Sequence, residues 1–142
     1  MLRFTKRADY GLMAIHYIAI HDEGAVSAKR IAEEFSIPQE LLAKILQKLA
    51  KQGLIVSQNG PKGGYVLTRR PAEISVGEVV RALEGPINIV SCLEDASCAQ
   101  IERCSLRRPV TKLQAAITTL LDTMSLAELT TDDVPEILTI KA

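Results

Sequence analysis

Residues 27–67 of this chain read SAKRIAEEFSIPQELLAKILQKLAKQGLIVSQNGPKGGYVL. Ser27 stands where a helix N-cap is expected, ahead of the short amphipathic run 28–35. Pro38 suits the first position of a second helix, because proline lacks only a donor that would be unpaired there. That helix ends at Gly53, a residue type common at helix C-termini. Two helices joined by a short turn predict a helix-turn-helix.

A β-hairpin is predicted directly after these helices. Two β-prone runs, LIVS at 54–57 and YVLT at 65–68, flank the turn-rich segment QNGPKGG at 58–64. The glycines and the proline of this segment favour a tight tip that carries Lys62. The order of helix, helix and hairpin predicts a winged helix-turn-helix.

Further helices are predicted on both sides of this unit. Apolar residues recur at helical spacing over 5–21, and Ser75-Val76-Gly77-Glu78 has the form of a capping box that opens a short helix through Leu83. A long helix with a narrow apolar seam begins near residue 105, and such seams are typical of helices that pair with a copy of themselves. The seam consists of Leu106, Val110, Leu113, Ile117, Leu120 or Leu121, and Met124.

The fold class is therefore predicted to be mainly α, a winged helix-turn-helix domain plus a long dimerisation helix. We expect the DNA-binding domain at 1–84, a cysteine-bearing loop at 85–104, the dimerisation helix with a helical stub at 105–130, and a tail at 131–142. The N-terminus is charged and no apolar run is long enough to span a membrane, so we expect a cytoplasmic protein. The sequence contains no phosphate-binding glycine loop and no nucleophile motif, so we do not expect an enzyme.

The formal net charge of zero conceals an asymmetry. Residues 1–70 carry 11 Lys and Arg against 6 acids, and residues 71–142 carry the other 6 basic residues against 11 acids. A basic half beside an acidic half is expected of a polyanion binder with a separate sensing or assembly region. A chance distribution of charge remains the alternative.

Candidate DNA contacts lie on the second helix of the motif, on the hairpin and near the two preceding helix starts. Amide and carboxylate side chains can hydrogen-bond to base edges in the major groove, whereas lysines mostly neutralise phosphates. A solvated helix face, or a winged helix that binds protein, would be the alternative. The candidates are Lys6, Ser27, Lys29, Gln39, Glu40, Ala43, Lys44, Gln47, Lys48, Asn59 and Lys62.

All three cysteines fall in one short stretch, as Cys92, Cys98 and Cys104 with C-x5-C-x5-C spacing. An odd number of cysteines in a cytosolic protein argues against a disulfide framework. Three thiolates in one loop can converge on one metal centre, and iron–sulfur clusters prefer thiolate ligands. Zinc ranks second, because structural zinc sites use closer C-x2-C pairs. Unrelated thiols and a metal-free thiol redox switch remain open.

Three thiolates leave one coordination position of a metal centre open. Asp9, near the start of the first predicted helix, is the candidate for it. On spacing alone, Asp9 is better explained as a first-turn acid that interacts favourably with the helix dipole. His16 and His21 lie on the same helix, and we interpret them as packing and surface residues.

Several of these features together resemble the IscR/NsrR-type iron–sulfur regulators of the Rrf2 family. The resemblance rests on ADYGLMAI at 8–15, the helix-turn-helix, QNGPKGGYVL at 58–67 and the triple cysteine motif, and it extends to about residue 130. It implies a homodimer that binds double-stranded DNA and uses the three cysteines to ligate a 2Fe–2S or 4Fe–4S cluster. Because a dimer relates two recognition helices by a twofold axis, its operator should be an inverted repeat.

The resemblance also bears on single positions. Some members use a histidine three residues after the last cysteine as fourth ligand, and Arg107 stands there in this chain. Nitric-oxide-sensing members use an aspartate of the first helix that reaches across from the other subunit, so the resemblance implies Asp9 in that role. Asn59 and Ala43 replace an arginine and a glutamate found in several members, so operator preference should differ. The sequence motifs resemble most strongly those of regulators of iron–sulfur assembly genes (the SUF-type operons).

Overall fold

The computed structural model describes residues 2–94 and 98–133. The first helix, α1, spans Lys6–Ile20, and the Thr5 hydroxyl caps it by accepting a hydrogen bond from the Ala8 amide. This confirms the helix predicted over 5–21, with the two end residues serving as caps. The face of α1 that carries Ile15 and Ile18 is buried.

The helix-turn-helix is confirmed. Helix α2 spans Ala28–Phe35, and the Ser27 hydroxyl caps it by accepting from the Arg30 amide. Ser36 adopts a left-handed conformation (φ 52°) at the turn, and helix α3 spans Gln39–Lys51. Pro38 was predicted as the first helical residue, but its ψ of 126° makes it the N-cap.

The wing is a two-stranded antiparallel sheet, β1 at Ile55–Gln58 and β2 at Gly64–Leu67. Val26, which precedes α2, exchanges two backbone hydrogen bonds with Tyr65 of β2, with N···O distances of 3.0 and 2.8 Å. A Cβ atom at Gly64 would overlap the Val26 carbonyl group, so only glycine allows this approach. The wing is therefore joined to the start of α2 as well as to the end of α3.

Helix α4 spans Val76–Glu84 and begins with the predicted capping box, in which Ser75 and Glu78 bond reciprocally. Gly85 follows with φ 79° and ends the helix. Single 3-10 turns occur at Pro71–Glu73 and Ser91–Leu93.

The long helix, α5, spans Arg107–Thr123, and a four-residue helix, α6, follows at Leu126–Leu129. The chain between them returns to the start of α4, because Val76 N–H donates to Met124 O and Leu126 N–H donates to Ile74 O, both at 2.8 Å. Leu126 is fully buried in the same core as α1, α3 and α4. Beyond residue 133, the predicted tail lies outside the described residues.

A single aliphatic core holds α1 to α4, the wing and α6 together. Its fully buried side chains include Ile15, Ile31, Leu42, Ile45, Leu46, Leu49, Ile55, Ile74, Val79, Leu83 and Leu126. Among the helices of residues 2–94 and 98–133, none combines the length and hydrophobicity needed to cross a bilayer.

Candidate nucleic-acid interface and cysteine segment

Helix α3 has one buried face and one exposed face. Its buried face consists of Leu42, Ile45, Leu46 and Leu49. Glu40, Lys44, Gln47 and Lys51 are exposed, and their i, i+4, i+7, i+11 spacing puts them on one stripe. We call these four residues the recognition face. It presents one carboxylate, one amide and two ammonium groups to solvent.

Three other candidates on α3 sit differently. Gln39 is exposed at the helix start, and Ala43 is half-buried beside the recognition face. Lys48 is exposed four positions after Lys44, but its Nζ donates a hydrogen bond to the Leu83 carbonyl oxygen of α4 at 3.0 Å. Lys51 was not among the predicted contacts, although its helical spacing from Glu40 and Lys44 could have identified it.

The wing tip is a tight turn with an exposed lysine. Gly63 N–H donates to Gly60 O at 2.9 Å, and Pro61 and Lys62 occupy the two positions between them. A Cβ atom at Gly63 would come within 2.6 Å of the Gln58 carbonyl oxygen, so the turn requires glycine there. Asn59 is exposed at the same tip. The turn thus presents an amide and an ammonium group to solvent.

Three candidates lie outside α3 and the wing. The hydroxyl of Ser27 already accepts the capping bond of α2, and Lys29 forms an exposed ion pair with Glu33 at 3.9 Å. The ammonium of Lys6 lies 5.3 Å from the centre of the Tyr10 ring. The exposed ion pair between Lys29 and Glu33 contributes little free energy, so Lys29 can exchange Glu33 for a phosphate.

The cysteine segment, residues 85–104, begins with a fixed portion. Gln114 of α5 accepts the Ile89 N–H through Oε1 at 2.9 Å and donates to the Ile87 carbonyl through Nε2. Cys92 lies just beyond, in the single turn at Ser91–Leu93. The segment is therefore attached to α5 before it reaches the first cysteine.

The three thiols are free, and none forms a disulfide. Cys92 and Cys98 are half-buried, whereas Cys104 is exposed. Asp9 is exposed in the first turn of α1, where its carboxylate suits the helix dipole. Within the described ranges, no three Cys, His, Asp or Glu side chains are grouped closely enough to hold a metal ion. The donor types fit a thiolate-bound iron centre, but the described conformation does not gather them around one point.

The two histidines have structural partners. His16 Nε2 lies 3.1 Å from the Leu129 carbonyl oxygen and links α1 to α6. His21 Nδ1 lies 2.8 Å from the Tyr17 carbonyl oxygen, and its ring stacks on that of Tyr17. These contacts agree with their interpretation as packing and surface residues.

Apolar surface lies along α5. No residue of this helix is buried, and Leu113 exposes 53% of its surface. A cavity of about 480 Å³ lies between the N-terminal segment, α4, the start of the cysteine segment and α5. Its lining includes Phe4, Val80, Ile89, Ile117, Leu120 and Leu121.

Comparisons with known proteins agree with this architecture. The family profile described as "Rrf2: Iron-dependent Transcriptional regulator" matches residues 4–132. The chain is 33% identical to the HTH-type transcriptional regulator IscR of Aliivibrio salmonicida, over 93% of this chain and 79% of the relative. It is 34% identical to the HTH-type transcriptional regulator NsrR of Geobacillus kaustophilus, over 92% of this chain and 91% of the relative.

A solved structure has the same fold. CymR (YrzC), titled the global cysteine regulator of B. subtilis, superimposes with a TM-score of 0.76 at 32% identity and covers 93% of this chain and 100% of its own. The winged helix-turn-helix, the recognition face and the similarity to these proteins all indicate the same family. The chain belongs to the Rrf2 family of transcriptional regulators, which bind DNA.

Proposed function

We propose that this protein is a homodimeric transcription regulator that inserts α3 into the major groove of an inverted-repeat operator. The observation that carries this proposal is the recognition face, where Glu40, Lys44 and Gln47 are exposed on one stripe. Glu40 and Gln47 can hydrogen-bond to base edges, and Lys44 and Lys51 can neutralise phosphates. Lys62 at the wing tip adds a cation that can reach the backbone or an adjacent minor groove.

The apolar surface of α5 supports dimerisation. Leu106 and Leu113 are 61% and 53% exposed, and they lie on the seam expected of a self-pairing helix. A second copy of α5 would cover this seam and the apolar cavity beside it. The twofold axis of such a dimer relates two recognition helices, which is why we expect an inverted repeat with half-sites separated by whole helical turns.

We further propose that Cys92, Cys98 and Cys104 hold an iron–sulfur cluster, with Asp9 as fourth ligand. The free state of all three thiols and the iron-dependent description of the family profile support this proposal. When bound, such a cluster supplies an inorganic centre that responds to oxygen, nitric oxide or iron shortage. Because the described donors are not grouped, the cysteine segment has to rearrange before its thiolates can share one cofactor. Genes for iron–sulfur assembly are the targets we propose.

A metal-free thiol switch is the second candidate for the sensing function. Cys104 is exposed and the three thiols are not grouped, which suits thiols that react separately. The likeness to a protein titled a cysteine regulator favours the same alternative.

Operator binding tests the first proposal. The probe is a duplex that this protein selects from a random-sequence pool, followed by fluorescence anisotropy. Replacing both Lys44 and Gln47 by alanine should weaken binding at least tenfold, because one phosphate contact and one base contact are lost. Lys112→Ala, on the exposed side of α5, is the matched control and should bind as the parent does. Equal binding by all three proteins would contradict the role of the recognition face.

Metal analysis distinguishes the two sensing candidates. Anaerobically purified protein should be brown and contain iron and acid-labile sulfide. Asp9→Ala should lower cluster retention more than Arg107→Ala does, since Arg107 cannot ligate iron. Iron-free protein after attempted cluster reconstitution would contradict the cluster, and a reversible disulfide or bound zinc would favour a competing chemistry.

A further inference from the structure

The C-terminal end of α4 is a junction between three parts of the chain. Lys48 of α3 donates from Nζ to the Leu83 carbonyl oxygen at 3.0 Å. The Thr5 hydroxyl, at the start of α1, donates to Glu84 Oε1 at 2.5 Å. Gly85 then ends the helix, and the cysteine segment begins. The end of α4 is thus in contact with the recognition helix and with α1.

The chemistry of the Lys48 contact suits a tertiary link. The last carbonyl groups of a helix lack partners within it and carry partial negative charge, so an ammonium group is favourable there. Leu83 is fully buried, which fixes the position of its backbone. A Cβ atom at Gly11 of α1 would overlap the Leu83 side chain, so α1 packs closely against the same point.

The other lysines of α3 behave differently. Within the described part of the chain, neither Lys44 nor Lys51 has a hydrogen-bond or ion-pair partner on its side chain. Both can therefore bind phosphate without losing a contact. Lys48 already donates one N–H to the Leu83 carbonyl, which holds its ammonium group against α4, and the sequence-based prediction of Lys48 as a phosphate contact does not account for that bond.

The helix end that Lys48 contacts leads into the cysteine segment. Cys92 lies nine positions after Leu83 in the chain. Between them, Gln114 binds the backbone of Ile87 and Ile89. The same helix end is therefore bonded to the recognition helix through Lys48, and the chain that leads from it to the first cysteine is attached to α5 by Gln114.

We propose that Lys48 is a positioning residue, which sets α3 against the end of α4 and does not neutralise a phosphate. This inference rests on the proposed role of α3 as the DNA-reading helix. Lys44 is the matched residue that does contact phosphate.

The salt dependence of operator binding separates the two roles. The logarithm of the operator-binding constant falls linearly as the logarithm of the salt concentration rises. Each lost phosphate contact makes this slope less steep by about 0.9, or by about 1.8 for a dimer that loses one contact in each subunit. Lys44→Met should show this change. Lys48→Met should weaken binding about three- to tenfold at every salt concentration and leave the slope unchanged. Lys48→Arg retains a donor for the carbonyl and should restore binding.

Thermal unfolding without DNA provides a second readout. Lys48→Met should lower Tm by about 3–6 °C, because a charge-assisted tertiary hydrogen bond is lost, and Lys44→Met should change Tm by less than about 1 °C. A slope that falls with Lys48→Met as it does with Lys44→Met, or an unchanged Tm, would overturn the proposal. Failure of the parent protein to bind any selected duplex would instead contradict the proposed function, and the Tm comparison would still decide the role of Lys48.

Discussion

The DNA-binding unit and the long helix differ in how their apolar side chains are covered. Among the described residues, every buried apolar side chain except Leu126 lies between Ala8 and Leu83. Helix α5 buries none of its 17 residues, and Leu113 is more than half exposed. The first region therefore has its own core, whereas the second leaves apolar surface that a second copy can cover.

The cysteine segment between them is held differently along its described residues. Gln114 of α5 fixes Ile87 and Ile89, whereas bonds after Cys98, such as Ile101 N–H to Cys98 O, close local turns. Backbone held by local turns has low local stability and permits rearrangement. A firmly packed DNA-binding unit beside a more loosely held cysteine segment is the arrangement expected of the proposed regulator, in which this segment changes conformation.

The largest effect is expected in the core of the DNA-binding unit. Leu46→Ala removes a fully buried side chain of α3 and should lower the free energy of unfolding by about 2–5 kcal/mol. Leu41→Ala, on the same helix but 36% exposed, should cost less than about 1 kcal/mol. Urea unfolding at one protein concentration measures both, and equal losses would show that α3 is not packed as described.

The junction of the wing with α2 comes next. Gly64→Ala places a Cβ atom against the backbone of Val26 and Ser27, which cannot rotate away, so we expect a loss of about 1–3 kcal/mol together with weaker operator binding. Gly24→Ala is the control, because a Cβ atom there meets nothing within 4 Å. Thermal unfolding and anisotropy measure the two effects. A harmless Gly64→Ala would contradict the close approach.

Dimerisation tests the other side of the comparison. Leu113→Glu places a charge on the exposed seam of α5 and should dissociate the dimer while leaving the secondary structure of the monomer intact. Ala115→Glu adds the same charge to an exposed position off the seam and should remain dimeric. Light scattering after gel filtration gives the mass of each. A Leu113→Glu protein that keeps the mass of a dimer would place the interface elsewhere.

A smaller, local effect is expected in the cysteine segment. Gln114→Leu removes the acceptor of the Ile89 N–H, so amides of residues 87–94 should exchange with deuterium about tenfold faster. Exchange in α3 should stay unchanged, and Lys112→Ala should leave both regions as in the parent. Unchanged exchange in residues 87–94 would mean that Gln114 does not hold the segment.

The smallest effect concerns pH and the start of α4. Partial burial raises the pKa of Glu78, but the Ser75 N–H and the Arg69 guanidinium outweigh it and hold the pKa below the ordinary value of 4.5. The stabilisation is therefore present above pH 4.5 and is lost as the pH falls through the lower value in the folded state. Glu78→Gln should cost less than about 1 kcal/mol at pH 7, because the carboxylate is partly exposed.

Unfolding measured as a function of pH checks this prediction. The difference between Glu78→Gln and the parent should shrink below pH 4.5, because the stabilising charge of Glu78 is lost there. A difference that persists at pH 3 would assign the effect to packing rather than charge.

Local signals made most of the fold predictable from the sequence. The caps at Ser27 and Ser75 bond to amides three residues away, so their residue pattern is enough to identify them. The period of apolar residues in α3 likewise identified its buried face. The predicted start of α3 was wrong by one residue, because the fixed φ of Pro38 suits both the N-cap and the first helical position.

Long-range contacts could not be predicted in the same way. The Leu83 carbonyl accepts a hydrogen bond from Lys48, which lies 35 positions earlier in the chain. No local sequence pattern predicts a contact over that separation. The return of Leu126 to the core depends on where α5 ends in space, which periodicity alone does not give. The cysteine segment lacks any period, so its sequence places three thiols in one stretch but does not fix their directions.

The most direct test of the account is the operator affinity of one protein preparation with and without its iron. Anaerobic anisotropy would compare iron-loaded and iron-stripped parent protein with the triple variant Cys92→Ser, Cys98→Ser, Cys104→Ser. Iron should change the affinity of the parent by about 5- to 150-fold and leave the triple variant unaffected. Equal affinities of the loaded and stripped parent, or a parent that takes up no iron, would contradict it.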